Sequence, residues 1–284
     1  MKNRKTIILS NQEISPGYYR MQILAPEYNR LAKPGQFVMF RVQRSLPPLL
    51  RRPFGIFRTG YVEPDCDGMP AKEFIEIIYK VVGTGTGIMQ ELHQGDRIEL
   101  LGPLGRGFDL GDPDEEKILV GGGIGLVPLY MLAEKMVVNS NVRLLMGGRT
   151  RDDIITVTEF ERLGVGTYVS TEDGSLGEEG LVTQVLERKL DKYPKASVYA
   201  CGPMPMIDAV QQICSQRGTP LQVSLEALMA CGVGACLGCV VKGAGHSADH
   251  PHYLCTCKQG PVFHAGELDW SRLATPDAEC GGDQ

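Results

Sequence analysis

Apolar and polar positions change rhythm twice along this chain. Up to about Gly111, short runs rich in β-branched and aromatic residues ("PGQFVMFRV", "EFIEIIYKVVG", "DRIELLG") alternate with glycine and proline, the pattern of strands closed by turns. This predicts a β-barrel over residues 1–112, with one short helix at Thr86–Leu92. A long hairpin loop is expected at Tyr61–Glu73, with Cys66 in it as an exposed thiol. Over residues 113–224 the runs "KILV", "VRLLM", "TYVS", "SVYA" and "LQVS" are separated by amphipathic segments near Val127–Met136, Thr158–Leu163, Leu181–Leu190 and Met204–Gln216. Strand and helix in alternation predict a parallel α/β sheet, which receives ligands at the carboxyl ends of its strands. From Glu226 onward regular patterning fails, and residues 225–284 read as a small domain organised by a metal rather than by a core.

Composition narrows the class. The 284 residues are 43% hydrophobic and 22% charged, with a net charge of −5. That is ordinary for a globular protein, and it argues against nucleic acid, whose phosphates need a basic face. The apolar run at Ile7–Leu9 is too short for a signal-peptide core. The longest uncharged run, Ile118–Ala133, contains four glycines and a proline and falls short of a membrane span. A cytoplasmic protein with no membrane segment is expected, and the acidic run Asp112–Lys117 reads as a solvated linker. In a reducing compartment, nine unevenly clustered cysteines point to metal rather than to disulfides.

Three of those cysteines stand in "MACGVGACLGCVV", where Cys231, Cys236 and Cys239 are spaced C-x4-C-x2-C, with Cys255 and Cys257 further on. This is the plant-type [2Fe–2S] arrangement: one tight loop brings three thiolates to two irons and a separate segment closes the set. Gly232, Gly234 and Gly238 permit the sharp dihedrals and let N–H groups face sulfur. Zinc held by Cys236 and Cys239 with Cys255, Cys257, His250 or His252 is the main rival, although C-x-C makes a poor zinc knuckle. Inert buried thiols are the third reading.

Two glycine turns end strands of the α/β region. "LVGGGIGLVPLYMLAEKM" places Gly123 between strand and helix, where backbone can approach a phosphate. The G-x-G-x-x-G spacing is not met, because the last position is Leu126. "YACGPMPM" repeats the design with Cys201, Gly202 and Pro203, and together the two turns point to a dinucleotide. In the barrel half, Arg51 and Arg52 before Pro53 are candidates for a diphosphate, and Gly85 and Thr86 offer N–H groups at a helix start. Surface arginines and a plain strand turn explain those residues equally well.

Taken together, these pieces resemble the ferredoxin-reductase-like flavoproteins, a FAD-binding barrel followed by a NAD-binding α/β domain. "SLEALMACGVGACLGC" with "CKQGPVF" narrows the likeness to the electron-transfer subunits of type B dihydroorotate dehydrogenase. The resemblance runs from "PGQFVMF" to "GPVFHAGEL". It implies a [2Fe–2S] cluster on Cys231, Cys236 and Cys239, with Cys257 rather than Cys255 as fourth ligand. It places FAD contacts on Arg52, Pro53, Phe54 and Gly55, on Ile78, Tyr79 and Lys80, and on Gly85 and Thr86. Two departures from the family stand out: Gly55 replaces a serine, and Lys80 an arginine, which keeps the charge but loses the bidentate fork. The implied function is electron transfer in pyrimidine biosynthesis, between NAD and the FMN of a dihydroorotate-oxidising catalytic subunit, in a heterotetramer of two copies of each. A related subunit serving ferredoxin or polysulfide, and a non-enzymatic redox-sensing module, are the rival readings.

Overall fold

The computed structural model describes residues 2–41, 50–62 and 71–271. Cys66 and the tip of its loop lie outside them. The N-terminal region is one antiparallel sheet built from β1 (Lys2–Ser15), β2 (Tyr18–Leu24), β3 (Phe37–Arg41), β4 (Arg52–Gly55), β5 (Arg58–Val62), β6 (Lys72–Lys80) and β7 (Arg97–Leu104). Its strand order is β4-β3-β7-β1-β2-β6-β5. Ile8, Met21, Ile23, Val38, Phe40, Ile56, Ile75, Ile77, Ile98 and Leu100 share one core, so the sheet coils into the expected barrel. β1 and β2 were not foreseen. Their apolar positions are diluted by polar residues, and only pairing with β7 and β6 makes them strands. A single-turn helix α1 (Tyr28–Leu31) follows β2, and α2 (Thr84–Gln90) starts two residues before the expected helix.

The second sheet contains β8 (Lys117–Gly122), β9 (Val142–Gly148), β10 (Gly166–Thr171), β11 (Glu178–Glu179), β12 (Ser197–Cys201) and β13 (Leu221–Ser224). The helices are α3 (Val127–Met136), α4 (Val157–Arg162), α5 (Val182–Lys192) and α6 (Met204–Arg217). α3 opens with Pro128 in its first turn, where a missing N–H costs nothing. α5 buries Val182, Val185, Leu186 and Leu190, the single stripe its periodicity predicts. α6 stops at Gly218, whose φ of 65° closes the helix. Lys117, the last residue of the acidic run, is fully buried at the start of β8, its ammonium 3.5 Å from Glu115.

The order β11-β10-β9-β8-β12-β13 is parallel throughout and changes direction at β8, which has β9 on one side and β12 on the other. The topological switch point therefore lies between β8 and β12, at whose carboxyl ends sheets of this kind receive ligands. The cysteine-rich segment holds a small hairpin, β14 (Val240–Lys242) with β15 (Tyr253–Cys255), and sends β16 (Val262–His264) back to pair antiparallel with β13. Arg106 clamps that return, donating to Val262 O and to both carboxylate oxygens of Glu267.

Barrel and α/β region share a core. Tyr18, Phe57 and Ile78 share a cluster with Tyr130 and its neighbours on α3 and with Phe160 of α4, and the rings of Phe57 and Tyr130 stack at 4.3 Å. Among the described residues, no helix is long and apolar enough to cross a membrane.

Candidate flavin cavity, nicotinamide edge and thiol nest

Between barrel and α/β sheet lies a cavity of about 600 Å³, within the range of small-molecule sites. β4 contributes Arg52, Pro53, Phe54 and Gly55 to its wall, β6 contributes Ile78, Tyr79 and Lys80, and Thr86 adds to it from α2. Arg51 and Arg52, adjacent in sequence, part company here. Arg51 faces away and pairs with Glu99 of β7 at 3.2 Å, since successive side chains of an extended chain point to opposite sides. Arg52 turns inward. Among the described residues its guanidinium has no carboxylate partner, and it donates to Leu50 O. It lies across Gly85, where an added Cβ would stand 2.8 Å from Nε. Gly85 supports the arginine from behind and is not itself part of the wall. Thr86 uses its hydroxyl to accept the N–H groups of Val82 and Gly83 and so closes its own turn.

Tyr79 has its ring in the barrel core, and its hydroxyl donates to Asn11 Oδ1 at 3.1 Å. Burial raises this phenol above its ordinary range, with the hydrogen bond to Asn11 opposing. At Gly55, an added Cβ would meet Val127 and Pro128 only at 3.7–3.9 Å, so the serine of the resembling family would fit. Lys80 departs from a pure ligand role: its ammonium donates to Tyr18 Oη at 2.9 Å and to Asp153 Oδ1 at 3.1 Å.

On the sheet side the cavity is bounded by Ile124, Gly125, Val127, Pro128 and Cys201. The two glycine turns touch each other. A Cβ on Gly125 would stand 2.3 Å from Cys201 O, and one on Gly202 would meet Gly122 N at 3.0 Å. Gly123, by contrast, has a left-handed φ of +51° and open space around it. Gly123, Gly202 and Pro203 shape the turns without lining the cavity. The glycine that close approach demands is Gly125, and the sequence signal for it was the tight spacing of "GGGIG". We predict that Gly125→Ala destabilises the fold by about 1–3 kcal/mol, the usual cost of overpacking. Gly123→Ala should cost only the left-handed backbone penalty of about 1–2 kcal/mol. Urea midpoints check this, and a Gly125→Ala midpoint equal to wild type would contradict it.

The Cys201 thiol is buried, which raises it far above its usual range, with Glu226 adding to the rise and Ser224 opposing. Glu226 opens onto the cavity, yet enough protein crowds it that burial raises its carboxyl too. The unpatterned segment Leu225–Met229, following Ser224 at the end of β13, lines the cavity. Nothing in its periodicity marked it as a wall.

Four cysteines meet beside the barrel. Cys239 and Cys257 are buried against Phe37, Met39 and Leu104 of β3 and β7, while Cys231 is half-exposed and Cys236 exposed. They pair by side-chain contact, Cys231 with Cys236 and Cys239 with Cys257. Among the described residues no three His, Cys, Asp or Glu side chains converge as on a single ion. Two thiol pairs instead fit two irons.

Backbone N–H groups surround the sulfurs. Val233, Ala235 and Cys236 donate to Cys231 Sγ at 3.4 Å, Gly234 to Cys257 Sγ at 3.0 Å, and Cys257 to Cys239 Sγ at 3.4 Å. The amide of Val233, helped by those of Cys236 and Ala235, lowers the Cys231 thiol to about 6. Burial and the neighbouring Cys239 push Cys257 up to about 12, against the amide of Gly234. Donors aimed at sulfur are what a thiolate-held cluster requires. Gly232 and Gly234 hold left-handed φ values of 72° and 78° to make the turn. Cys255 sits in β15 opposite Val240, its N–H donating to Gln259. Of the histidines in the zinc reading, His252 serves its own hairpin through Nδ1, 3.0 Å from Ala244 O, and the backbone N–H of His250 donates to Ser247 Oγ.

A barrel and a parallel sheet meeting at a cavity, with two glycine turns and a four-thiol nest, define an NAD-linked oxidoreductase of ferredoxin-reductase-like architecture. Residues 119–212 match the oxidoreductase NAD-binding domain, and residues 226–269 match the iron-sulfur cluster binding domain of dihydroorotate dehydrogenase B. The chain is 35% identical over 264 residues to the dihydroorotate dehydrogenase B (NAD(+)) electron transfer subunit of Desulforamulus reducens, covering 93% of this chain and 97% of that one. Its counterpart in Geobacillus thermodenitrificans is 37% identical over 270 residues, 94% and 98% of the two chains. The chain belongs to this family of electron transfer subunits. Among solved structures, the NADH-dependent reduced ferredoxin-NADP oxidoreductase studied for flavin-based electron bifurcation aligns with a TM-score of 0.79 at 28% identity, over 94% of this chain and 91% of that one.

Proposed function

We propose that this chain carries electrons between NAD and the FMN of a dihydroorotate-oxidising partner, by way of FAD and a [2Fe–2S] cluster, in pyrimidine biosynthesis. The observation that carries this reading is a shared wall. Phe37, Ala227 and Met229 line the cavity and also belong to the apolar cluster that contains the buried thiols Cys239 and Cys257, so the two sites adjoin through shared side chains. Bound FAD would supply the one chemistry that no side chain does, conversion between a hydride and single electrons.

The protein's part is binding and placement. Arg52 holds the FAD diphosphate, backed by Gly85. Pro53, Phe54, Gly55, Ile78, Tyr79, Lys80 and Thr86 form the flavin wall. Gly123 and the Cys201–Gly202–Pro203 turn, brought together by Gly125, receive NAD. Cys231, Cys236, Cys239 and Cys257 hold the cluster. Its exposed edge, Cys236 with Val233 and the 60%-exposed Leu237, faces the catalytic subunit. Our division is 1–112 for FAD, 113–224 for NAD and 225–284 for the cluster, in a cytoplasmic complex of two copies of each subunit; a reducing compartment keeps the thiols free.

The test is division of labour. Alone, the chain should reduce an artificial one-electron acceptor with NADH and leave dihydroorotate untouched. With an FMN-containing catalytic subunit added, NAD-linked oxidation of dihydroorotate should appear. Turnover of dihydroorotate by the single chain would refute the assignment.

A further inference from the structure

We propose that Asp153 is a positioning residue that pins the β9 loop, at the carboxyl edge of the α/β sheet where NAD is received, to the flavin cavity wall. The inference rests on the reading above that flavin occupies the cavity and NAD the sheet edge. Asp153 ends a single 3-10 turn, Arg151–Asp153, in the loop that leaves the carboxyl end of β9. Its carboxylate faces two ways. Oδ1 accepts from the Tyr18 hydroxyl at 2.7 Å and from the Lys80 ammonium at 3.1 Å, both barrel groups, and Lys80 itself lines the cavity. Oδ2 accepts from the Arg149 N–H at 3.2 Å, in the sheet-edge loop.

The barrel half of this contact is closed. Lys80 donates to Tyr18 as well and lies over its ring at 4.6 Å. The α/β half is closed too. Glu172 N donates to Gly148 O, Asp173 N to Arg149 O and Arg151 N to Ser175 Oγ, so the β9 loop and the β10 loop move as one. Gly148 has no side chain where a Cβ would stand 2.9 Å from Asp153 Cβ. One carboxylate, with 14% of its side chain exposed, thus joins a cavity-wall residue to the loops at the sheet's carboxyl edge. Ser15 of the barrel also reaches this loop, its exposed hydroxyl donating to Asp152 O at 3.2 Å, but the Asp153 contact is the one that includes a cavity-wall residue. Phe57 on Tyr130 and Arg20 to Glu159 join the barrel to helices α3 and α4 instead. They fix the domains but not this edge.

Hydride transfer is steep in donor–acceptor placement, whereas the hydrogen bonds of Asp153 go to Tyr18, Lys80 and Arg149 and not to the glycine turns assigned to NAD. Loosening the pin should therefore lower the limiting rate of flavin reduction by NADH and leave the apparent Kd nearly unchanged. A misplacement of this kind costs about 10–100-fold in rate.

The experiment uses the full purified chain with its flavin and cluster, as wild type, Asp153→Ala, Asp153→Asn and Tyr18→Phe. Rapid-mixing titration with NADH separates apparent Kd from limiting rate. Amide hydrogen exchange at Arg149, measured before NADH is added, reports the pin without any turnover. Asp153→Asn keeps an oxygen for Tyr18 and Lys80 but presents N–H to the Arg149 amide. It should speed Arg149 exchange and lose part of the rate, and Asp153→Ala should lose most of it, with FAD and iron contents unchanged. A limiting rate in Asp153→Asn equal to wild type overturns the proposal, whatever Asp153→Ala does, and so does a loss that appears entirely in Kd. If wild-type flavin is not reduced by NADH at all, the functional reading fails instead, and exchange at Arg149 still reports whether the contact exists.

Discussion

Arg52→Ala is expected to yield a folded chain that purifies largely without FAD. The structure gives Arg52 a position that its neighbour lacks: it lines the cavity, lies across Gly85, and has no carboxylate partner among the described residues, whereas Arg51 is tied to Glu99. An unpaired guanidinium in a largely apolar cavity is matched by a phosphate, which its planar fork engages with two hydrogen bonds. Truncating one partner of such a pair costs about 2–5 kcal/mol. That corresponds to roughly 30- to 5,000-fold in affinity, enough to empty the site during purification. Arg51→Ala is the control and should retain flavin. The flavin-to-protein absorbance ratio decides between them, and full occupancy in Arg52→Ala would remove the arginine from the site.

The second large effect is expected at Cys257. Cys257→Ser should lose the visible absorption of the cluster and most of the bound iron, while Cys255→Ser should keep both. One residue, Thr256, separates these cysteines, but their surroundings differ. Cys257 is buried, touches Cys239 and accepts the Gly234 N–H on sulfur. Cys255 is half-exposed in a strand of the hairpin. Metal–thiolate bonding of a cluster is also folding energy for its loop. Cys257→Ser should accordingly make Cys231–Cys239 more sensitive to protease as well. Iron analysis and absorption spectra settle the matter, and the reverse pattern would exchange the two assignments.

Much of the architecture was legible before any coordinates. The strands at Lys117, Val142, Ser197 and Leu221 and the helices α3, α5 and α6 announce themselves because buried strands and amphipathic helices carry their periodicity locally. β1 and β2 do not. Only three consecutive apolar residues, Ile7–Leu9, mark β1, and the ladders that stabilise it come from Arg97–Gly102 and Tyr18–Ile23, distant or across a turn. The Lys80 contact was hidden for a similar reason. Its partner Asp153 lies 73 residues away, in a turn that follows a strand of the other sheet, and nothing in "IIYK" distinguishes a ligand-facing ammonium from one that holds a carboxylate.

What the sequence determined by itself was chemistry of short range. The C-x4-C-x2-C loop, the glycines that let it turn and the two strand-end glycine clusters depend on neighbours within about a dozen residues, so composition and spacing suffice to read them. The tertiary structure decided which residues meet. It put Arg52 inward and Arg51 outward, set Gly125 rather than Gly123 against Cys201, and made the unpatterned Leu225–Met229 segment a wall of the cavity. It also gave Phe37 to both the cavity lining and the apolar cluster of the buried thiols. Each of these depends on how one surface packs against another far away in sequence, and close packing between such surfaces leaves no periodic trace in either one.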